Sequence, residues 1–360
     1  MLDCLIRPLL VPFEAQQRAG NALSHEYALH AFDANGVLKM KTIKPAKLAK
    51  GATVGVVSPS GFSDPFRLGQ GINYLKEQGY RVVLGECTKN LTRTYLMSGK
   101  DEARARELTQ MFANQEVDAI FCSVGGYGTM RILDHIDFGV IKENPKIFMG
   151  FSDITTLHVA IHQRTGLVTF HGPSLQGYAG SDGETDPPTG KDNIDRALRL
   201  LSTAGPWGNI ENPPNGMLLR TIVSGRAKGK LMGGNLTMLT HTLGTKDSID
   251  TNGCLLFMED LEVSEEDVER LLTHMSLAGK FDRVKGVILG QFSSLPKREE
   301  PTPSLEEVLM DRIGSLKGVP SFAGLCCGHG LNKLVLPEGV MASIDSETPS
   351  LTVDESPLKE

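Results

Sequence analysis

The 360-residue sequence holds no apolar run near the roughly 18 residues needed to span a bilayer, so no membrane segment is expected. It also lacks a long basic run. Its 37 Lys and Arg against 43 Asp and Glu leave a formal net charge of -6, which speaks against nucleic acid as a partner. None of its six cysteines forms a C-x-x-C pair. Several lie in apolar strand-like runs such as "AIFCSV" and read as reduced, buried thiols of a reducing compartment. The adjacent Cys326 and Cys327 read the same way, with a redox pair as the alternative. There is no internal repeat and no low-complexity segment. The N-terminus lacks the cationic start and unbroken apolar stretch of a secretion signal: Asp3 comes early and Pro8 breaks the patch. Residues 1–39 show no clear strand or domain logic and are expected to form a poorly ordered extension. The whole chain is 40% hydrophobic and 22% charged, enough to bury ordinary cores in two domains.

From about Ala52 strand-like and helix-like segments alternate. "ATVGVVSPS", "YRVVLGE", "AIFCSV", "KIFMGF" and "LVTFHG" are near-continuous apolar strands, as expected of a parallel sheet covered on both faces. Between them lie amphipathic segments such as "DEARARELTQMFAN", whose early acidic residues suit a helix N-terminus. The pattern predicts a flavodoxin- or Rossmann-like N-terminal domain over 40–176. Residues 177–220 are rich in Gly, Pro and Asp and read as a linker and substrate loop. They hold the one tryptophan, Trp207, which stacks on a ligand or packs partly buried against its domain. Over 221–360 the alternation resumes in a smaller α/β domain with a β-rich, barrel-like core. It includes a Ser264-x-x-Asp267 capping box and a closing hairpin at "VMASIDSETPSLTV".

In parallel α/β sheets, ligands meet the carboxyl ends of the strands. At the first such end, "GFSD", Ser152 has two readings. It caps the following helix, or a sharp turn exposes it as a nucleophile at a helix N-terminus. Gly150 stands two residues before it as in a nucleophile elbow, but Ile154 replaces the second glycine. "GGYG" at 125–128 cradles a phosphate, makes a tight positive-φ turn, or offers amides to an oxyanion. A serine nucleophile needs a base. His158 and His162 share a helix face, as a metal pair or as core histidines. His171 ends a strand in "FHGP" and is a candidate pocket residue. His329 stands between glycines in "CCGHGLNK", which places its imidazole on a loop. Glu259 and Asp260 end the apolar strand "LLFMEDLE", where a carboxylate can orient a base.

Taken in order, "GATVGVVSPSG", "SVGGYGTMRILDHIDF", "GFSDITTLH", "FHGP", "GKLMGGNL", "LFMEDLEV" and "GLCCGHG" resemble the LD-carboxypeptidases, serine peptidases that include muramoyltetrapeptide carboxypeptidase. The resemblance runs from about Ile43 to Ile344. It implies a Ser152–Glu259–His329 triad and an oxyanion hole of the Gly126 and Asp153 amides. It points to Tyr127, His171, Trp207 and Asn235 as substrate contacts. It further implies no metal, no cofactor, a homodimer and a cytoplasmic enzyme that releases terminal D-alanine from murein tetrapeptide. A related branch, resembling the microcin C self-immunity proteins, keeps the triad but cleaves a peptidyl-nucleotide antibiotic. Trp207 keeps that branch open.

Overall fold

The computed structural model describes residues 31–32, 38–39, 41–91, 93–179, 187–293 and 303–360. The chain divides into a short unit, residues 1–41, and a main unit, residues 42–360. Within the short unit, β1 (Ala31–Phe32) and β2 (Leu38–Lys39) pair antiparallel. Two-residue strands are too short to leave a periodic signal in the sequence. The rest of the extension lies outside the described residues.

The main unit contains two sheets. In the first, β3 (Thr53–Val57), β4 (Arg81–Leu84), β5 (Ala119–Cys122), β6 (Ile147–Gly150) and β7 (Thr169–His171) run parallel in the order β4-β3-β5-β6-β7. This is the doubly wound arrangement expected from the apolar runs: β3, β5, β6 and β7 are buried throughout. One edge strand comes from the other end of the chain. β14 (Leu336–Glu338) pairs antiparallel with β7, Leu336 opposite His171.

The second sheet has eight strands and curls into a half-barrel. β8 (Gly208–Ile210), β16 (Ser350–Val353), β15 (Met341–Asp345), β10 (Arg226–Asn235), β11 (Cys254–Leu261), β12 (Gly286–Ser293), β13 (Ser321–Ala323) and β9 (Arg220–Val223) follow in that spatial order. The β15–β16 hairpin and the Ser264 capping box form as expected. The segment read as a linker contributes β8 and the helix Pro187–Leu201.

One apolar cluster joins the sheets, taking Val54, Phe121 and Phe170 from the first and Leu231, Phe257 and Ile344 from the second. The helix Thr155–Thr165 shows why. Its residues from Thr155 to His162 are all buried, as in a helix without a solvent face. Leu157 and Ile161 pack toward the first sheet, and Val159 meets Met232 of β10.

Two buried charges support the loops at the strand ends. Arg104 is fully buried on the helix Asp101–Ala113, where periodicity alone predicts a solvated face. Its guanidinium donates to the carbonyls of Pro59 at 2.5 Å and Gly128 at 3.1 Å, and to Asp101 at 2.6 Å. On the same helix Glu107 accepts from the Ser58 amide at 2.6 Å, from the Cys87 amide and from the Thr88 hydroxyl. Burial raises its carboxyl above the usual range, and those hydrogen bonds oppose the rise. Arg104→Met leaves the two loop carbonyls without that donor, while Asp101 keeps its hydrogen bonds from Arg131. Urea unfolding should show a loss of about 2–4 kcal/mol; a change within ~0.5 kcal/mol would contradict this bracing role.

Candidate active site

Ser152 follows β6 by two residues and opens a short 3-10 turn, Ser152–Ile154, that runs into the helix Thr155–Thr165. Its φ is +66°, a conformation costly for a residue with a β-carbon. Among the described residues no hydrogen bond runs from its hydroxyl to the amides of the turn. The hydroxyl lies 2.9 Å from His329 Nε2 instead.

His329 Nδ1 is 2.7 Å from Glu259 Oε2. A carboxylate accepts there, so Nδ1 carries the proton and Nε2 offers its lone pair to the serine hydroxyl. Glu259 is fully buried. Burial alone would raise its carboxyl, but the charge and hydrogen bond of His329, with His171 adding to them, hold it below the usual range. The residues are 177 positions apart at the widest, and the fold brings all three together.

Glycines make these approaches possible. Gly328 has φ +109°, and a β-carbon there would stand 2.3 Å from Glu259 Oε2. A β-carbon on Gly125 would stand 2.8 Å from the Ser152 β-carbon, so the "GGYG" turn lies directly against Ser152. Gly126, at φ +105°, continues that turn. On β12, register shifts opposite Glu259: Met258 pairs with Leu289 but Asp260 with Phe292. This bulge places Gly290 against Cys327, and the Gln291 amide donates to the Cys327 carbonyl at 3.1 Å. The His329 loop is thereby pinned beside the carboxylate.

Asp153 is buried, and its carboxylate accepts from the Ser60 hydroxyl at 2.5 Å and the Thr129 amide at 2.9 Å. It ties the nucleophile turn to two neighbouring loops. Tyr127 is 53% exposed beside Gly126 and stands open to a ligand. Asn235 lies in register with Glu259 on adjacent strands. Its side chain is engaged at both ends: the oxygen accepts from the Met238 amide and the nitrogen donates to Asp260 at 2.8 Å.

Two expected contacts take other positions. His171 is 1% exposed, so it cannot line an open pocket; its ring packs edge-on against Phe257 and Phe151. Trp207 is half-buried on Phe170, 5.8 Å between ring centroids, with its indole N–H toward the Thr203 carbonyl. That is the packing reading. His158 and His162 do not converge on a shared point: His158 Nε2 bonds the Gly150 carbonyl and His162 Nδ1 the Leu167 carbonyl. Among the described residues no cluster of His, Cys, Asp or Glu is arranged to hold a metal. Cys326 and Cys327 are buried free thiols, and burial pushes both thiols up. Among the described residues, no helix is long and apolar enough to cross a membrane.

Lys333 escaped sequence reasoning. Its ammonium donates to the Gly330 carbonyl at 2.6 Å and lies 5.5 Å from the centre of the Phe151 ring. A lysine four residues past a loop histidine carries no spacing signal.

A doubly wound sheet joined to a half-barrel, with serine, histidine and glutamate meeting between them, is an α/β arrangement with a triad-like site. The chain belongs to the LD-carboxypeptidase family: the family's N-terminal domain matches residues 54–172 and its C-terminal domain residues 228–344. It is 40% identical over 312 residues to a probable murein peptide carboxypeptidase of Bacillus subtilis, covering 86% of this chain and 94% of that one. It is 30% identical over 341 residues to the microcin C7 self-immunity protein MccF of Escherichia coli, covering 87% and 96%. Among solved structures, MccF in complex with aspartyl sulfamoyl adenosine superposes with a TM-score of 0.77 at 28% identity, over 88% of this chain and all of that one. Muramoyltetrapeptide carboxypeptidase from Oxalobacter formigenes gives 0.71 at 26% identity, over 84% and 97%.

Gly328→Ala should force the His329 loop off Glu259 and lower kcat on the order of 10²-fold, the usual effect of an ångström of misplacement. Wild-type kcat in a folded variant would show that the close approach is dispensable. Acid unfolding gives a second check. Because Glu259 is held below the usual range, its contribution to stability is full above about pH 4.5 and is lost as pH falls below it. Glu259→Gln should therefore show a shallower loss of stability between roughly pH 5 and 3.

Proposed function

We propose that this protein is a serine carboxypeptidase that hydrolyses the amide between an L-centre and a terminal D-amino acid, releasing D-alanine from murein tetrapeptide during cytoplasmic cell-wall recycling. The observation that carries the reading is the unbroken chain from Ser152 Oγ through His329 to buried Glu259, on a serine held at positive φ.

The chemistry follows from that arrangement. His329 Nε2 takes the Ser152 proton as Oγ attacks the carbonyl, and ionised Glu259 stabilises the imidazolium that forms. The tetrahedral oxyanion is received by the Gly126 and Asp153 amides, with the N-terminal end of the following helix favouring its charge. His329 then protonates the departing amine, which leaves as the D-amino acid. Water, activated by the same imidazole, hydrolyses the acyl-enzyme and frees the serine. No step calls for a metal or cofactor. Tyr127, exposed beside the glycine turn, contacts the substrate. The enzyme acts as a homodimer.

The competing reading is hydrolysis of a peptidyl- or aminoacyl-nucleotide, as the likeness to the self-immunity protein suggests. Trp207 gives it little support, because its ring already packs on Phe170.

Mass spectrometry of murein tetrapeptide incubated with the protein should show loss of D-alanine. Ser152→Ala, His329→Ala and Glu259→Ala should each lower the rate on the order of 10⁴-fold. An unchanged rate in Ser152→Ala would remove the serine mechanism. Cleavage of an aminoacyl-adenylate mimic with tetrapeptide left intact would select the competing substrate.

A further inference from the structure

A second carboxyl–imidazole pair lies behind the nucleophile. His158, on the helix after Ser152, and Glu338, at the end of β14, are both fully buried. His158 Nε2 is 2.8 Å from the Gly150 carbonyl, which also accepts the Gly172 amide at 3.0 Å. A carbonyl only accepts, so Nε2 carries the proton and a neutral ring presents a lone pair at Nδ1. Glu338 Oε1 stands 3.9 Å from that Nδ1. Apart from the nearby Gly233 amide, neither carboxyl oxygen nor Nδ1 has a hydrogen-bond partner among the described residues.

Two lone pairs facing each other in a dry site repel, so one side must supply a proton. An ion pair would take two charges wholly out of water. Burial pushes the His158 imidazole down to about 3, so the ring is neutral near pH 7, and burial also raises the Glu338 carboxyl well above the usual range, in the direction of the protonated acid. The neighbouring titratable ring, His171, 6.4 Å from His158, is itself pushed down to about 4 by burial. The arrangement left is a carboxylic acid whose O–H points at Nδ1, with about 1 Å of side-chain rotation completing an ordinary hydrogen bond.

We propose that His158 is a positioning residue for the nucleophile: Glu338 O–H to His158 Nδ1, and His158 Nε2–H to the Gly150 carbonyl, lock the peptide plane that leads into Ser152. The carbonyl of Gly150 belongs to the peptide joining it to Phe151. Phe151 is extended at φ -154° and ψ -175° and passes straight into Ser152 at +66°. Its ring also lies 4.9 Å from that of His329. Without the His158 bond the plane is held at that carbonyl by the Gly172 amide alone, which leaves Ser152 room to relax toward negative φ and its hydroxyl to leave the base. This rests on the reading of Ser152 as nucleophile, but part of its test needs no substrate.

In full-length protein labelled with ¹⁵N-histidine, the His158 ring should appear as the neutral Nε2–H tautomer and should not titrate between pH 5 and 9. The assignment comes from its loss in His158→Gln. In His158→Leu the His329 Nε2 resonance should shift, because its serine donor has moved. His158→Gln, whose amide N–H can reach the same carbonyl, should restore it. On tetrapeptide, His158→Leu should lower kcat about 10- to 100-fold with KM within ~2-fold, and Glu338→Gln, which still donates, should stay within ~3-fold of wild type. A cationic or titrating His158 overturns the proposal, as does an unmoved His329 resonance in folded His158→Leu. If wild type cleaves no tetrapeptide, the proposed substrate fails while the two NMR readouts still decide the role of His158.

Discussion

Everything at the site depends on Ser152 staying at a backbone angle it would not choose. A β-carbon at positive φ costs roughly 1–3 kcal/mol, and such strain persists only where the surroundings over-determine it. Here they do so from several sides. The Gly125 turn comes so close that a β-carbon would collide with the serine. The carboxylate of Asp153 anchors the next residue to Ser60 and Thr129. The helix that follows is buried on all sides, so it cannot tilt to relieve the turn without opening the core. The gain is an Oγ turned away from its own helix and toward a histidine from the other half of the chain.

That division between two sheets sets the second constraint. Ser152 follows a strand of the parallel sheet, whereas Glu259 lies near the end of a half-barrel strand and His329 rides on the loop after another. Their distances hold only if the sheets keep one relative position. The Asn235 backbone amide donates to the Thr155 hydroxyl, joining the end of β10 to the start of the helix after Ser152. Gly234 lets the two backbones approach: a β-carbon there would meet the Thr155 hydroxyl at 2.5 Å. The strand β14 leaves the second half altogether to pair with β7. Glu259, a charge in a dry place, adds its own demand. Without the imidazole N–H opposite, its burial would be strongly unfavourable, so the carboxylate draws the loop toward it as much as the loop supplies the base.

Much of this could be read from residues in order. The apolar runs marked the parallel strands because strands buried on both faces need no alternation. Ser152, Glu259 and His329 stood out by lying at strand ends or between glycines, and the order of motifs placed them together. What stayed hidden came from residues whose environment contradicts their type. Arg104 and Glu107 look like one solvated face of a helix, yet both are buried under loops they hold by hydrogen bonds to backbone groups. Backbone carbonyls and amides leave no mark in a sequence. β14 is a three-residue strand containing a proline, and only its partner from far upstream makes it a strand. His171 looked available because it ends a strand, but β14 and Phe257 cover it. Side-chain periodicity reports which face is apolar and is silent on what later arrives to bury the other.

The contrast between the two glutamates shows how far the surroundings outrank the residue. Glu259 and Glu338 are equally buried and each faces an imidazole. Glu259 meets a ring whose N–H points at it and whose other nitrogen reaches a partly exposed serine, so its negative charge is stabilised and its pKa falls. Glu338 meets a ring whose N–H is already spent on the Gly150 carbonyl, so nothing there offsets its burial, which raises its pKa. One hydrogen bond, donated to a backbone carbonyl or to the carboxylate, separates a charge that can support an imidazolium from an acid that can only brace. The same pair of side chains thus stands in opposite charge settings on the two sides of Ser152.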